Sequence, residues 1–278
     1  SDTLRPALQR PADEVTVRRA AEARISVSGV GSAGTPTAPG ENTAGVVAET
    51  LDEPAAIEIQ KGVRPASGMG SSAASAAAAA VALNELYDRG LSRTELVSVA
   101  AEGEVAASGE VHADNVAPAL LGGFTITRPD GTTVVEPDLS LVVCLPEEAV
   151  PTRAAREAVP ESLSVSDHVE TVRNAATLTV GMCRSAPALV GRGLDDPVVT
   201  PARAALVTGY ETVRERALAA GATGVTVSGS GPGVLAVARS ETQSAVAQAM
   251  IDGFATAGVD AEAVQTSVGG GATLVDTA

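Results

Sequence analysis

Apolar and polar residues alternate along several short stretches of the chain, and this period of two predicts β-strands, whose successive side chains point to opposite faces. The predicted strands are EVTVRR, ARISVSG, AAIEIQKG, GGFTITR, LSLVVCLP, the pair within GVTVSGSGPGVLAVAR, and ATLVD. Helical spacing of apolar residues, or a high alanine content, predicts helices at NTAGVVAETL, residues 72–87, SRTELVSVAAEGEVAASG, residues 167–183 and 202–220, and ETQSAVAQAMIDGFATAG. Strands and helices are mixed without regular alternation, so the pattern predicts an α+β fold.

Residues that favour helix ends support some of these boundaries. Asn42 or Thr43 is expected to cap the first helix, and Ser92 with Glu95 has the spacing of a capping box. A change of composition at residues 146–151 predicts a domain boundary. The predicted N-terminal domain therefore covers residues 1–147, and the C-terminal domain covers residues 148–278.

The 278 residues carry a net charge of −15, and only one of the 19 basic residues, Lys61, is a lysine. An acidic, nearly lysine-free composition is typical of proteins from salt-loving archaea, because high salt screens the repulsion between like charges. Nucleic-acid binding needs basic clusters or stacking aromatic side chains. Since aromatic residues make up 1% of the chain, we expect no nucleic-acid partner.

The sequence has no apolar stretch of the roughly 20 residues that a membrane helix needs, and its first residues lack the pattern of a signal peptide. We therefore expect a cytoplasmic protein with no membrane partner. Cys144 and Cys183 are far apart, and each has apolar neighbours in the sequence. This context predicts two buried free thiols in a reducing compartment.

Of three glycine-rich loops, the first is GVGSAG, residues 29–34, which matches the dinucleotide-binding pattern G-x-G-x-x-G after a predicted strand. Asp52 and Glu53 lie near the expected spacing of the ribose-binding acid. In dinucleotide-binding proteins the loop opens directly into a helix, whose N-terminus holds the pyrophosphate. Here TPTAPG follows, and its two prolines prevent a helix from continuing there. A plain turn is therefore the favoured interpretation.

The second loop, PASGMGSSAAS at residues 65–75, leads into the alanine-rich helix. Unpaired N–H groups and the positive end of the helix dipole converge at such a helix N-terminus, where phosphate groups bind. Gly68 and Gly70 allow backbone angles that other residues resist, and Ser71 and Ser72 add hydroxyl groups. A phosphate-binding loop and a serine-capped helix after a flexible turn both fit this pattern.

The third loop, VSGSGPGVLAVA at residues 227–238, lies between apolar runs and by itself predicts a hairpin turn. Together, PASGMGSSAAS and VSGSGPGVLA resemble the second and third motifs of the GHMP kinases. Met69 stands where leucine is more usual in that family, and the exchange conserves volume. The segment EGEVAASGEVHADNVAPALLGGF, residues 102–124, is similar to the homoserine kinases of the family. The similarity extends over nearly the whole chain, through RPADEV and DPVVTPAR.

The resemblance implies a two-domain GHMP kinase fold, with an N-terminal α/β sandwich that carries the ATP loop and a C-terminal ferredoxin-like α+β domain. It implies ATP and Mg²⁺ as cofactors. The implied reaction is phosphorylation of L-homoserine to O-phospho-L-homoserine, on the way to threonine. We also expect a homodimer, because dimers are common among soluble proteins.

The resemblance also assigns residues to the site, including Glu104, which its sequence context alone would make a solvated helix charge. The implied metal ligands are Ser72 and Glu104, and the implied catalytic residues are these two and Arg156. The implied ATP-binding residues are Asn42, Lys61, Pro65, Ala66, Ser67, Gly68, Met69, Gly70, Ser71, Ser72, Ala73, Ala74 and Ser75. The implied substrate-binding residues are Asp2, His112, Asn115, Thr152, Arg156 and Arg203. No general base is identified, since Asn115 stands about where some relatives have an aspartate.

The first motif of the family, P-x-S-A-N-L-G-P-G-F-D, is not found, and Asp2 would be its closing aspartate. We therefore expect the chain to be a fragment. Three alternatives stay open: another GHMP kinase that acts on mevalonate or shikimate, a nicotinamide-dependent oxidoreductase that uses residues 29–34, and a truncated ATP-binding protein without catalytic activity.

Overall fold

The structure, a computed structural model, describes residues 4–109 and 111–275, which form ten strands and ten α-helices. The strands are β1 (Leu4–Pro6), β2 (Glu14–Arg19), β3 (Arg24–Gly29), β4 (Ala55–Lys61), β5 (Phe124–Arg128), β6 (Gly131–Val135), β7 (Ser140–Pro146), β8 (Gly224–Val227), β9 (Val234–Ala238) and β10 (Ala261–Ser267). The helices are α1 (Thr43–Thr50), α2 (Ser71–Leu86), α3 (Arg93–Ser108), α4 (Ala113–Leu121), α5 (Thr152–Glu157), α6 (Val165–Cys183), α7 (Pro187–Gly193), α8 (Val199–Ala204), α9 (Tyr210–Ala219) and α10 (Gln243–Thr256).

The described residues divide into two compact units. The N-terminal unit contains residues 4–65, 70–109, 111–134 and 269–275, and the C-terminal unit contains residues 66–69 and 135–268. The long stretches of the two units thus meet in sequence at Val134 and Val135. The domain division at residues 147 and 148 stays a prediction.

The N-terminal unit contains a three-stranded sheet in which β4 lies between β2 and β3. Strand β4 is antiparallel to β2 and parallel to β3, and Ile57 pairs with Val17 on one side and Ile25 on the other. These side chains share one face of the sheet because paired residues point the same way. They pack in one apolar core with α1, α2, α3 and α4, and β1, β5 and β6 form a second small sheet. The arrangement agrees with the predicted α/β sandwich.

Helix α2 lies in the middle of this unit and contacts α1, α3, α4 and β2. None of residues 71–84 is exposed, which explains why this helix carries alanine on almost every side: larger side chains would hold its neighbours away. Small residues on the neighbours act in the same way. A Cβ atom added to Gly103 in α3 would lie 2.7 Å from the carbonyl oxygen of Thr43.

The C-terminal unit contains an antiparallel four-stranded sheet in the order β10-β7-β9-β8. Helices connect β7 to β8, a hairpin joins β8 to β9, and α10 connects β9 to β10. This β-α-β-β-α-β succession is the ferredoxin-like arrangement, as predicted. Its core contains Val213, Met250 and Phe254, each fully buried.

Several elements differ from the sequence prediction, which did not include strands β1, β6 and β10 or helices α5 and α7. The helix predicted over residues 202–220 is two helices, α8 and α9, because the chain turns between them and Gly209 has a φ angle of +80°. The last predicted strand, ATLVD, has no regular structure over residues 272–275, and the final described strand is β10. Helix α4 was not predicted, since Pro118 lies inside it and proline disfavours helix interiors.

Two further expectations concern solvent and membrane. Cys144 is buried in β7, as predicted, but Cys183 at the end of α6 is exposed, so the prediction of a second buried thiol is wrong. Of its apolar neighbours, Met182 is buried whereas Val180 is exposed, so apolar neighbours in the sequence do not decide the burial of a residue on this helix. Within residues 4–109 and 111–275, no helix combines the length and apolar character needed to cross a membrane.

Candidate active site

The loop that matches the dinucleotide-binding pattern forms a turn. Strand β3 ends at Gly29, a short 3₁₀ turn covers Ser32–Gly34, and Thr35 is extended. The next α-helix in the chain begins only at Thr43. Because the loop does not open into a helix, it lacks the N–H groups that hold a pyrophosphate, and the plain-turn interpretation is confirmed.

The second glycine-rich loop does open directly into a helix. Gly68 and Gly70 have φ angles of +80° and +72°, in the left-handed region that favours glycine. Gly70 is the N-cap of α2, and no side chain caps the helix there. The first N–H groups of an α-helix have no partner within the helix. The start of α2, at Ser71 rather than the predicted Ser72, therefore presents backbone donors and the positive end of its dipole.

The third glycine-rich loop is the predicted hairpin between β8 and β9, and it binds the backbone of the second loop within the C-terminal unit. The Ser228 hydroxyl donates to the carbonyl oxygen of Gly68 at 3.1 Å, and the Gly233 N–H donates to that of Ser67 at 3.2 Å. A Cβ atom at Gly68 would lie 2.0 Å from the Ser228 carbonyl oxygen. The two motifs therefore depend on each other for their conformation.

Lys61, at the end of β4, is buried and its ammonium group makes three hydrogen bonds. It donates to a carboxylate oxygen of Asp13, to the carbonyl oxygen of Ser71 at 2.7 Å and to the hydroxyl of Ser75 at 2.9 Å. The Ser75 hydroxyl in turn donates to Asp13 at 2.7 Å. Burial lowers the pKa of Lys61, and the neighbouring Asp13 carboxylate opposes that shift. Direct contact of Lys61 or Ser75 with ATP stays a prediction.

Asn42 is buried and serves as the N-cap of α1, one of the two caps that the sequence suggested. Its side-chain oxygen accepts from the Ala44 N–H at 3.0 Å, and its amide donates to the carbonyl oxygen of Pro36 at 2.7 Å. These contacts fix the start of α1. The role of Asn42 in ATP binding stays a prediction.

Glu104 on α3 has a side chain removed from solvent: the residue is 2% exposed. This burial excludes the solvated helix charge that its sequence context suggested. Burial raises the pKa of the Glu104 carboxyl, while hydrogen bonds with the Ser72 and Asn115 side chains lower it. The structure thus brings together three of the predicted site residues, one each from α2, α3 and α4.

The start of α4 carries a charged cluster. Asp114 accepts a hydrogen bond from Nε of Arg5 at 2.9 Å, and its other oxygen lies 3.8 Å from Nδ1 of His112. Arg5 was not among the predicted site residues, whereas the resemblance implies that Asp114 lies in the substrate pocket with His112 and Asn115. The HADN sequence was the available signal for Asp114, whereas Arg5 is 109 residues away and no local pattern indicates it.

In the C-terminal unit the predicted substrate residues lie on two helices. Thr152 and Arg156 are exposed on α5, and Arg203 is buried at the end of α8. Arg203 donates from Nε to the carbonyl oxygen of Ala155 at 3.4 Å and from its guanidinium to that of Gly229 at 2.9 Å. It therefore ties α5 to the third glycine-rich loop. Asp2 lies outside the described residues.

Comparison with protein families agrees with this geometry. The family model for the GHMP kinases N terminal domain matches residues 41–123. This range contains Glu104 and the second glycine-rich loop, residues 65–75, hereafter the glycine-serine loop. The model for the GHMP kinases C terminal domain matches residues 178–256, which contain Arg203 and the hairpin loop.

The chain belongs to the GHMP kinase family.

Relatives within this family are similar over nearly the full length. A homoserine kinase from Haloquadratum walsbyi is 65% identical over 273 residues, which is 98% of this chain and 94% of the relative. A homoserine kinase from Halorubrum lacusprofundi is 61% identical over 275 residues, 99% of this chain and 94% of the relative. The crystal structure of homoserine kinase from Cytophaga hutchinsonii matches with a TM-score of 0.90 and 33% identity, and covers 97% of this chain and 90% of that one.

As a GHMP kinase, the chain is an ATP-dependent small-molecule kinase, and the nicotinamide-dependent oxidoreductase interpretation of residues 29–34 is wrong. The acidic, lysine-poor composition agrees with the haloarchaeal relatives. The resemblance stated from the motifs is thus confirmed at the level of the family and the fold, while the individual roles of the site residues stay predictions.

Proposed function

We propose that this kinase transfers the γ-phosphoryl group of ATP to the side-chain hydroxyl of L-homoserine, giving O-phospho-L-homoserine and ADP as a step towards threonine. The observation that carries the proposal is the identity of 65% over 98% of the chain with a homoserine kinase. The buried Glu104 beside the glycine-serine loop supports it, because a carboxylate excluded from solvent needs a specific role.

The ATP phosphates would bind at the loop and the N-terminus of α2. The chain's own residues fit this group: an added Cβ atom at Gly70 would meet nothing nearer than the Ala73 Cβ, at 3.9 Å. The space in front of the first helical turn is therefore open on the side of Gly70. Backbone N–H groups and the helix dipole would stabilise the negative charge of the phosphates.

Mg²⁺ would be held by Ser72 and Glu104. An alcohol and a carboxylate are hard oxygen ligands, and Mg²⁺ needs only one or two such protein ligands beside water and phosphate oxygens. In the part of the chain that the structure describes, no group of three or more His, Cys, Asp or Glu side chains could hold a metal. When bound, the ion would neutralise charge on the phosphates during transfer.

The arginines of the C-terminal unit would bind the homoserine carboxylate. A guanidinium group suits this task because its paired donors match the two carboxylate oxygens. Arg156 is exposed on α5, and Arg203 binds the backbone of the same helix. Thr152 on the same helix would add a hydroxyl. His112 and Asn115 in the N-terminal unit are the other substrate-binding residues that the resemblance implies.

In the transfer, the homoserine oxygen forms a bond to the γ-phosphorus, and the bond from that phosphorus to the bridging oxygen of ADP breaks. The hydroxyl proton is released to solvent. Asn115 cannot accept it, and the Asp114 carboxylate is engaged by Arg5. Catalysis would therefore come from positioning and charge stabilisation, which supply most of the effect in phosphoryl transfer.

The test is homoserine-dependent ADP release by the chain in molar potassium chloride with Mg²⁺, beside parallel reactions with mevalonate and shikimate. We expect turnover with homoserine alone. Turnover with a different acceptor would overturn the substrate, and ATP binding without any turnover would support the truncated, non-catalytic alternative. The cytoplasmic location and the homodimer stay predictions.

A further inference from the structure

The single lysine of the chain lies where three acceptors converge on one nitrogen. Eighteen of the 19 basic residues are arginine, since Lys61 is the one lysine. Its acceptors are a carboxylate oxygen of Asp13, the Ser71 carbonyl oxygen and the Ser75 hydroxyl. An ammonium group presents three donors from one compact centre, whereas a guanidinium group spreads its donors over a plane. The geometry therefore suits lysine better than arginine at this position.

The network joins three segments of the N-terminal unit. Asp13 precedes β2, and its second oxygen accepts from the N–H groups of Gly62 and Val63, each at 3.0 Å, just after β4. Its first oxygen accepts from Lys61 and from Ser75 in the first turns of α2. The Ser71 hydroxyl closes the arrangement by donating to the Val63 carbonyl oxygen at 2.7 Å.

The hydrogen-bond network is also removed from solvent. The side chains of Lys61 and Asp13 are 3% and 0% exposed, and Ser71 and Ser75 are buried. Hydrogen bonds between charged groups are stronger and more directional in such surroundings than in water. The segment between Ser71 and Ser75 is therefore held at both ends, and this segment contains Ser72.

We propose that Lys61, Asp13 and Ser75 are positioning residues for phosphoryl transfer: they fix the first turn of α2, and with it Ser72, to the end of β4. The inference rests on the proposed kinase function and deepens it. Because Lys61 and Ser75 are buried and donate to each other or to Asp13, the proposal gives them an indirect role in place of the direct contact with ATP that the resemblance implies. Lys61 and Ser75 act through the helix, which presents its N–H groups and the Ser72 hydroxyl in a preorganised arrangement.

The first test compares Ser75→Ala with Val81→Ala. Both positions are buried in α2, but Val81 makes no part of the network. We expect Ser75→Ala to raise the Kd for ATP in the presence of Mg²⁺ about tenfold, the size associated with loss of a hydrogen bond to charged groups. Its kcat should fall, while its KM for homoserine stays within twofold of the wild type. Val81→Ala should lower the Tm and leave all three constants within twofold.

The second test separates charge burial from positioning. Lys61→Met leaves the Asp13 carboxylate buried without its cation, whereas Lys61→Met combined with Asp13→Asn removes both charges. The double variant should recover Tm relative to Lys61→Met but not ATP affinity, because neither side chain then fixes the Ser71 carbonyl. Lys61→Arg should also lose ATP affinity, since its planar group does not fit three converging acceptors.

Two results would overturn the inference: a Ser75→Ala variant whose ATP Kd matches that of Val81→Ala, or a double variant with wild-type ATP affinity. The calorimetric measurement of ATP binding needs no homoserine. A wild-type chain that binds ATP but does not turn over homoserine would therefore count against the proposed substrate alone, and the binding results would still decide the positioning role.

Discussion

The glycine-serine loop offers a sharp test, because Gly68 and Gly70 share a backbone conformation but have different surroundings. Both have positive φ angles, so replacement by alanine costs about 1–2 kcal/mol in each case. Alanine also restricts the unfolded chain, which returns about 0.4–1 kcal/mol. For Gly70→Ala nothing else opposes the added methyl group, so we expect a net loss of about 1 kcal/mol, or roughly 3 °C in Tm.

At Gly68 the added Cβ atom would lie 2.0 Å from the Ser228 carbonyl oxygen and 2.9 Å from the Gly231 nitrogen. Both are backbone atoms, which cannot relieve the clash by a change of rotamer as a flexible side chain could. Overpacking of this kind adds about 1–3 kcal/mol. We therefore expect Gly68→Ala to lose about 2–4 kcal/mol, or roughly 6 °C or more.

Although Gly70→Ala should destabilise the fold less than Gly68→Ala, it should weaken ATP binding strongly. The methyl group of Gly70→Ala would occupy the open space beside the start of α2, so the KM for ATP should rise about tenfold or more, equivalent to about 1.4 kcal/mol. Thermal unfolding in molar potassium chloride and ADP-release kinetics provide the two measurements. Equal stability losses for the two variants, or an unchanged ATP KM for Gly70→Ala, would refute this reasoning.

Three further predictions concern single side chains. Glu104→Gln should lower kcat about a hundredfold or more through loss of the charge. Because burial raises the pKa of Glu104, the ionised carboxyl destabilises the fold as pH rises, so the Tm difference in favour of the variant should widen from pH 5 to pH 8; a narrowing difference would contradict this. Arg203→Lys should raise the KM for homoserine about tenfold and leave that for ATP within twofold, because lysine cannot make both backbone contacts. A thiol reagent should modify one cysteine of the native protein and none in Cys183→Ser, since burial raises the pKa of Cys144 to about 12; rapid modification of Cys144 would count against its burial.

Local patterns predicted most of the elements but not those that depend on distant partners. The strands β2, β3 and β4 and the capping box of α3 follow from alternation and spacing alone. Strand β10 is different: its residues AEAVQTS are weakly apolar, and they form a strand because β7 pairs with them along their whole length. ATLVD has a more apolar sequence but no such partner among the described residues. Pairing, rather than composition, decides between the two.

The candidate active site also combines features that follow from the local sequence with features that depend on distant residues. The loop and the helix N-terminus were predictable because glycine, serine and alanine have local conformational consequences. The burial of Glu104 was not, since it depends on the approach of α3 to α1 and α2 at Gly103. Asp13 was missed for a related reason: it lies 48 residues from Lys61. A lone lysine in an arginine-rich chain was the available signal that a specific partner existed.

The alanine content of α2 has a consequence for the entropy of folding. Ordering a long side chain costs about 1.5–2 kcal/mol of rotamer freedom, whereas alanine has none to lose. The eight alanines of this enclosed helix are therefore fixed at the expense of the backbone alone. They also have no rotamers among which to move once folded. The helix whose N-terminus is the proposed phosphate site therefore has few side-chain rotamers to exchange around its alanine positions.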